Sequence, residues 1–255
     1  AAGRTHMRTT RVQDLCELAA SACASGLDEA RRREISLLMD AVAAADLGLP
    51  DTAPAAGSVS AGSTIITQTV YASDAFELVV FLFPRGVRLP LHDHPEMTVF
   101  CRVIDGSLAM RSYDWLPPAP TGAQLDEASR KQQRGRAPPD AYPATLRGET
   151  ILTPESPTFA LRPDFANIHS FEALADTAVL DLQLPPYDDR KGRDCHYFAS
   201  EGEAAPALAE AAAGGDGARG GGSEGLCCAE TLRVISPELD IRAGAYRGPR
   251  PRLAR

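Results

Sequence analysis

The sequence predicts an all-β domain, either a barrel or a sandwich, behind a short N-terminal pair of helices. Apolar and β-branched runs follow one another between residues 64 and 116, separated by Asp, Pro and Gly, and similar runs return over 149–184. Two further runs, at 231–235 and 241–246, end the pattern. Many short strands at this spacing are typical of β-barrels and β-sandwiches, and 255 residues suffice to bury such a core.

The first fifty residues carry the period of helices rather than that of strands. Gly26 is a stop signal for the first helix, and Asp28 is positioned to cap the second. The apolar positions of each helix repeat at helical spacing and lie on one face: Val12, Leu15, Leu18 and Ala19, then Ile35, Leu38, Met39 and Val42. We therefore expect a helical segment, residues 1–50, that packs on a barrel domain formed by residues 51–255.

Three segments have compositions that disfavour regular structure. Residues 50–63 are rich in Ala, Ser, Gly and Pro, which predicts a linker. Residues 117–143 are polar and Pro-rich and contain the basic run KQQRGR, so we expect a flexible surface insertion there. The Ala- and Gly-rich stretch 204–225 predicts a second, disordered insertion.

The composition argues against several classes of function. A net charge of −8 disfavours nonspecific binding to nucleic acid or to anionic membranes. No apolar run approaches the ~20 residues that a membrane span needs. The six cysteines include no CxxC pair, and their spacing is not that of a disulfide-rich secreted domain. We therefore expect reduced thiols and an intracellular protein, cytoplasmic or nuclear, that is a monomer.

The segment 86–106, GVRLPLHDHPEMTVFCRVIDG, carries the clearest chemical signal. His92 and His94 stand at i and i+2 between two strand-like runs. On a strand both imidazoles point to one face, about 7 Å apart at ~3.3 Å per residue, and together they can bind one metal ion. A strand pair that delivers H-x-H to the inside of a small barrel is how cupins build a metal site. Ordinary strand or surface histidines are the alternative for so short a motif.

A facial metal site needs a third ligand from another strand. His169, in NIHSFEA, lies 75 residues after His94, a separation that fits the second ligand strand of a cupin barrel. The Glu that usually follows the second cupin histidine by four or five residues is replaced by Thr98 or Val99, and Glu96 comes too early. We therefore predict three neutral imidazoles instead of two histidines and a carboxylate. Imidazoles suit Fe, Zn, Cu and Ni, so the residues alone leave the metal open.

The motifs PLHDHPEMTVF and GSLAMRSYDWL resemble those of the plant cysteine oxidases and the related cysteamine (2-aminoethanethiol) dioxygenases. The resemblance continues through NIHSFEA, VLDLQLPPYDD, GRDCHYF and IRAGAYRGP and omits 117–143 and 200–230. It implies a cupin barrel, that is, a double-stranded β-helix or jelly roll. It also implies one non-haem Fe(II) per chain on His92, His94 and His169.

The resemblance assigns further residues to the site. Asp181 and Tyr187 match catalytic positions: Asp181 would orient a ligand or pair with the substrate amine, and Tyr187 would donate a hydrogen bond. Cys195 and Tyr197 match a pair that forms a thioether crosslink in the cysteamine branch. Glu96 stands where the family usually has Gly. It follows His94 by two residues and on a strand would point to the same side, so we expect its charge near the pocket mouth. The alternatives are a local structural role for Asp181, plain packing for Tyr187 and an ordinary buried thiol for Cys195.

The resemblance implies an enzyme that adds both atoms of O2 to the N-terminal cysteine of a protein or peptide, giving a sulfinic acid. Oxidation of such an N-terminus marks a protein for the N-degron pathway, so an oxygen sensor that responds to hypoxia is expected. Three alternatives remain open: a dioxygenase of small aminothiols, another three-histidine cupin enzyme such as an isomerase, and a metal-binding cupin without turnover.

Overall fold

The computed structural model describes residues 10–49, 64–135, 138–200 and 229–253. Within these ranges the chain forms three α-helices, α1 (Arg11–Ser25), α2 (Glu29–Asp40) and α3 (Gly122–Gln133), and twelve strands. The strands are β1 (Ile65–Ala72), β2 (Glu77–Phe83), β3 (Arg88–His92), β4 (Thr98–Asp105), β5 (Leu108–Trp115), β6 (Ala141–Leu152), β7 (Phe159–Leu161), β8 (Ile168–Ala173), β9 (Thr177–Leu184), β10 (Tyr197–Ser200), β11 (Ala229–Ile235) and β12 (Ile241–Ala243).

The strands are arranged as a sheet and a closed ring. The sheet has the order β12-β1-β2-β9-β4-β7, and the ring has the order β10-β11-β6-β5-β8-β3. Side chains of the sheet, such as Val99, and of the ring, such as Phe171, form one apolar cluster between the two layers. The cupin-type, all-β architecture predicted from the sequence is therefore confirmed.

The two predicted N-terminal helices are present and cover the outer side of the sheet. The side chains of Thr10 and Asp28 cap them by accepting hydrogen bonds from backbone N–H groups in the first turn. Apolar residues of both helices, including Leu15 and Met39, are buried against side chains of β2 and β9 such as Leu78. The helix pair thus seals the face of the sheet that points away from the ring.

The segment 117–143 differs from its prediction, because it contains helix α3 and the start of β6. Thr121 and Gln124 form a capping box at the start of α3. Leu125 and Ala128, one turn apart, are buried in a cluster with side chains of the ring strands, including Leu232. The polar, Pro-rich composition hid this short amphipathic pattern. The predicted linker 50–63 and the predicted insertion 204–225 lie outside the described residues.

No helix among the described residues has both the length and the apolar character that crossing a membrane requires.

Candidate metal centre

The three predicted histidine ligands lie close together in the closed ring of strands. His92 ends β3, His94 follows it by two residues, and His169 lies on β8 directly opposite His92 in the antiparallel register. The ring centroids are 4.6–4.9 Å apart, and one nitrogen from each imidazole lies within 4.8 Å of the others. All three side chains are buried. Strand pairing therefore brings together three donors that are distant in sequence.

The hydrogen bonds of the histidines leave nitrogen lone pairs free. His92 Nδ1 donates to the carbonyl of Pro90 (2.9 Å), and His94 Nδ1 donates to that of Asn167 (3.1 Å). Each bond fixes the tautomer, so Nε2 keeps its lone pair. Neither nitrogen of His169 has a hydrogen-bond partner among the described residues. Buried, unpaired imidazole nitrogens are costly unless they bind something, and a metal ion satisfies them.

The protonation state of the three rings also suits a metal. Burial lowers the pKa of His92 to about 4, against a weaker opposing effect of its bond to Pro90. Burial, with repulsion from neighbouring imidazoles, holds the pKa values of His94 and His169 well below the ordinary value. All three imidazoles are therefore neutral at pH 7, which is the form that binds metal ions.

The loop that carries the ligands is held by Asn167, which the sequence reasoning missed. The His94 N–H donates to Asn167 Oδ1 (3.1 Å), and Asn167 Nδ2 donates to the His94 carbonyl (2.9 Å). Asn167 lies two residues before His169, so one short segment supplies both a ligand and the anchor of another ligand. Its position within NIHSFEA was the available signal.

A cavity of about 540 Å³ opens beside the histidines, between the sheet and the ring. His92 and His94 line it from the ring side, and strands β1, β2 and β9 form the opposite wall. The wall also contains Asp181 and Gln183, each 5 % exposed, on β9. The predicted residues Tyr187, Cys195 and Tyr197 line the same cavity. Four predicted non-ligand residues are thus gathered at the metal centre.

Asp181 is a buried carboxyl with unused hydrogen-bonding capacity. Its Oδ1 has no hydrogen-bond partner among the described residues. Burial raises the pKa of Asp181 to about 7, although a hydrogen bond with Cys101, its neighbour on β4, opposes that effect. A cationic group in the cavity would both pair with this carboxylate and restore its ionised form.

Cys195, Tyr187 and Tyr197 form a cluster next to the histidines, with the Tyr187 ring 5.5 Å from that of His94 and the Tyr197 ring 6.2 Å from that of His92. The Cys195 thiol lies within hydrogen-bonding reach of both phenol hydroxyls, and burial raises its pKa to about 12. Tyr187 donates its hydroxyl proton to the Asp93 carbonyl (2.7 Å). Cys195 and Tyr197 are therefore adjacent, as a crosslinking pair must be, and the crosslink itself stays a prediction.

Glu96 lies elsewhere than predicted. It is exposed at a turn that the Met97 N–H closes by donating to the His94 carbonyl (3.1 Å), and it is not part of the cavity wall. The prediction assumed that strand alternation continues beyond His94. The chain turns there instead, and Glu96 adopts a left-handed conformation with φ 59°. A glycine adopts this conformation without strain.

The rim of the cavity carries more negative than positive charge. Among the described residues that line it, Arg193 is the single Lys or Arg, and it lies 3.9 Å from Asp188. The carboxylates that line the cavity are Glu77, Asp181, Asp188, Asp189 and Asp194. Such an excess of carboxylates favours cationic ligands.

His196 is buried and is not among the residues that line the cavity. Its two ring nitrogens contact the carboxylates of Asp93 and Asp126 at 3.0 Å each. The sequence identified neither aspartate as part of the site. Asp126 was missed because it comes from α3, in the segment predicted to be a flexible insertion. Asp93 was visible between the two ligand histidines.

The fold and the site together define a cupin with a three-histidine metal centre. A family model described as PCO_ADO matches residues 38–250. The chain therefore belongs to the PCO_ADO family, in agreement with the resemblance noted in the sequence.

Curated relatives agree with this family. Plant cysteine oxidase 2 of Arabidopsis thaliana is 32% identical over 164 residues, which are 63% of this chain and 54% of that protein. The 2-aminoethanethiol dioxygenase of Homo sapiens is 35% identical over 136 residues, 51% of this chain and 50% of that protein. The chain thus spans about half the length of the curated relatives it matches.

Among solved structures, an RmlC-like cupin protein from Desulfovibrio desulfuricans aligns with 48% of this chain and 84% of its own, with 18% identity and a TM-score of 0.30. A TM-score this low adds nothing to the strand order described above.

Proposed function

We propose that this chain is an Fe(II)-dependent thiol dioxygenase that oxidises the N-terminal cysteine of a protein or peptide to cysteine sulfinic acid. The observation that carries the proposal is a cluster of three neutral imidazoles beside a cavity that His92 and His94 line and that also contains Asp181, a buried carboxyl whose Oδ1 has no partner among the described residues. Membership of the PCO_ADO family supports iron over the other metals that imidazoles accept.

The residues divide the work as follows. His92, His94 and His169 would hold the ion as neutral ligands, so its positive charge stays available to lower the pKa of a substrate thiol. Fe(II), when bound, supplies the redox chemistry that joins both atoms of O2 to sulfur. Asp181 would bind the substrate ammonium and so orient the thiol toward the histidines. The Tyr187 hydroxyl, which donates to the Asp93 carbonyl, steadies the ligand loop at the pocket wall.

The size of the cavity supports a peptide over a small aminothiol. At about 540 Å³ it lies within the ~300–1,000 Å³ range of pockets for drug-sized ligands, far more than cysteamine fills. The cavity is also open at the acidic rim, so residues that follow the cysteine can leave it toward solvent. An N-terminal cysteine would place its ammonium at Asp181, and the rest of the peptide would contact the rim.

The second candidate is oxidation of a small aminothiol such as cysteamine. It is favoured by the adjacent Cys195 and Tyr197, which match the pair of the cysteamine branch, and by the 35% identity to the human 2-aminoethanethiol dioxygenase. Both candidates need the same histidines and the same carboxylate, so the two substrates must be compared directly.

The experiment is aerobic incubation of the Fe(II)-reconstituted chain with a cysteine-initiated peptide and, in parallel, with cysteamine and free cysteine. The peptide should gain about 32 Da, the mass of the two oxygen atoms of a sulfinic acid. Under 18O2 both atoms should carry the label. The His169→Ala variant is the matched control and should leave the peptide unchanged. No oxidation of any of the thiols by iron-loaded protein would refute the dioxygenase proposal.

The biological role proposed with this activity is oxygen sensing through the N-degron pathway. A sulfinic acid at the N-terminus is a chemically distinct mark that forms only when O2 is present. We propose that the protein acts on cytoplasmic or nuclear substrates, as a monomer. Comparison of the half-life of a cysteine-initiated reporter at normal and low O2, with and without this protein, tests that role.

A further inference from the structure

The buried His196 ring connects helix α3 to the metal-binding loop. Its Nδ1 lies 3.0 Å from Asp93 Oδ2, and its Nε2 lies 3.0 Å from Asp126 Oδ1. Each ring nitrogen thus faces a carboxylate oxygen, an arrangement in which the protonated ring, an imidazolium, donates to both. Burial opposes that charge, but the hydrogen bonds and the attraction of both carboxylates outweigh it and raise the pKa of His196 to about 9.

Asp93, at the other end of this contact, is held through both its backbone and its side chain. Its backbone N–H donates to the His196 carbonyl (3.2 Å), and its Oδ1 accepts from the His196 backbone N–H (2.8 Å). Its carbonyl accepts the Tyr187 hydroxyl. Asp93 stands between His92 and His94. Any contact that fixes the Asp93 backbone therefore also fixes the backbone positions from which the two histidine side chains extend.

Helix α3 places Asp126 firmly at the outer end of the chain of contacts. The capping box at Thr121 fixes the start of the helix. Leu125 and Ala128, on either side of Asp126, are buried and pack the helix against the ring strands. The Asp126 side chain is 30% exposed, whereas that of His196 is 1% exposed. The helix therefore presents one carboxylate inward at the place where the buried imidazolium needs a second acceptor.

We propose that α3 braces the metal centre, with Asp126 as a positioning residue that orients His196 and, through Asp93, holds the His92–His94 pair in metal-binding geometry. Hydrogen bonds made directly to metal ligands commonly contribute tenfold or more to metal affinity, and Asp126 acts further out, through His196 and Asp93, so we expect the lower end of that range. The inference concerns binding of the ion and does not depend on which thiol the site oxidises.

The experiment measures Co2+ affinity of the metal-free protein by competition with a chromophoric chelator, together with the visible spectrum of the Co2+ complex. Asp126→Ala should weaken Co2+ binding about tenfold and alter the spectrum. Asp126→Asn keeps an oxygen acceptor for the Nε2 proton and should restore most of the affinity. Glu127→Ala is the matched control, since Glu127 is the next residue of α3 and its one ion pair within the described ranges is with the exposed Arg130. It should bind like the wild type.

Amide hydrogen exchange of the metal-free variants gives a second reading that does not involve the ion. Residues 91–97 should exchange faster in Asp126→Ala than in the wild type, with Glu127→Ala unchanged, while circular dichroism verifies the fold of each variant. Wild-type Co2+ affinity and exchange in Asp126→Ala would overturn the proposal. So would an equal loss of affinity in Glu127→Ala, or an Asp126→Asn variant as weak as Asp126→Ala.

Discussion

Replacing Asp181 with asparagine should increase stability and remove activity. The carboxyl is 5% exposed, and burial raises its pKa from the ordinary 3.8 to about 7. A raised carboxyl pKa means that the folded state resists ionisation, so this group lowers stability as the pH rises from about 4 to about 7. The penalty is absent below the unfolded-state pKa and complete above the folded-state pKa. Asparagine has the same shape and does not ionise in this range.

The magnitude follows from the two pKa values. Each unit of difference is worth about 1.36 kcal/mol, so between pH 5 and pH 8 the penalty from Asp181 grows by about 3 kcal/mol. The stability difference between Asp181→Asn and wild type should grow by that amount in favour of the variant. Comparing two pH values cancels the packing effect of the amide, which is the same at both.

The assay is urea unfolding of both metal-free proteins, with a chelator present, at pH 5 and pH 8. Gln183→Asn is the control, because Gln183 is buried on the same strand and lines the same cavity without ionising, so its stability change should not depend on pH. In the iron-loaded protein, Asp181→Asn should retain the metal and lose most turnover, because the substrate ammonium loses its partner. A stability difference that is equal at the two pH values would refute the raised pKa and the reasoning built on it.

Three further predictions follow from the structure. Glu96→Gly should raise the unfolding free energy by about 1 kcal/mol in chemical denaturation, because it relieves a left-handed backbone, and it should leave the kcat/KM ratio of Cys-Asp to Cys-Lys peptides unchanged. Glu77→Gln should lower the kcat/KM of the Cys-Lys peptide relative to that of the Cys-Asp peptide about fivefold, the equivalent of ~1 kcal/mol for a partly exposed ion pair. An unaltered kcat/KM ratio would mean that Glu77 at the rim does not contact the peptide. Leu125→Ala should destabilise the protein by about 3 kcal/mol because it leaves a cavity under α3, whereas a loss below 1 kcal/mol in the same denaturation assay would show that the helix is weakly attached.

The metal ligands were predictable from the sequence, whereas the residues that hold them were mostly not. An H-x-H on a strand has a fixed geometric meaning, and the separation of 75 residues between His94 and His169 fits the second ligand strand of a cupin. The contacts of Asn167 and Asp126 depend on which segments the fold brings together, and no local period encodes that. Composition led to the wrong prediction of a flexible insertion at α3, because the helix has few apolar positions and Pro-rich segments surround it.

The prediction for Glu96 failed for a physical reason of a different kind. Alternation along a strand holds only while the backbone stays extended, and the turn after His94 ends it. The family resemblance contained the correct signal, because a position that is usually Gly indicates a backbone that other residues adopt only with strain. That conformational explanation accounts for the residue better than a role in selecting substrates.

The direct pairing of His92 with His169 across β3 and β8 makes the donor set sensitive to insertions and deletions. The register between the two strands shifts once, between Leu89 and His92, and the alignment after the shift is what places both imidazoles on one face. Removing one residue from β3 would turn one imidazole to the opposite face while leaving every side chain chemically intact. Substitutions along these strands are therefore expected to be tolerated far better than changes of length, and ion binding would report whether the two strands have aligned correctly during folding.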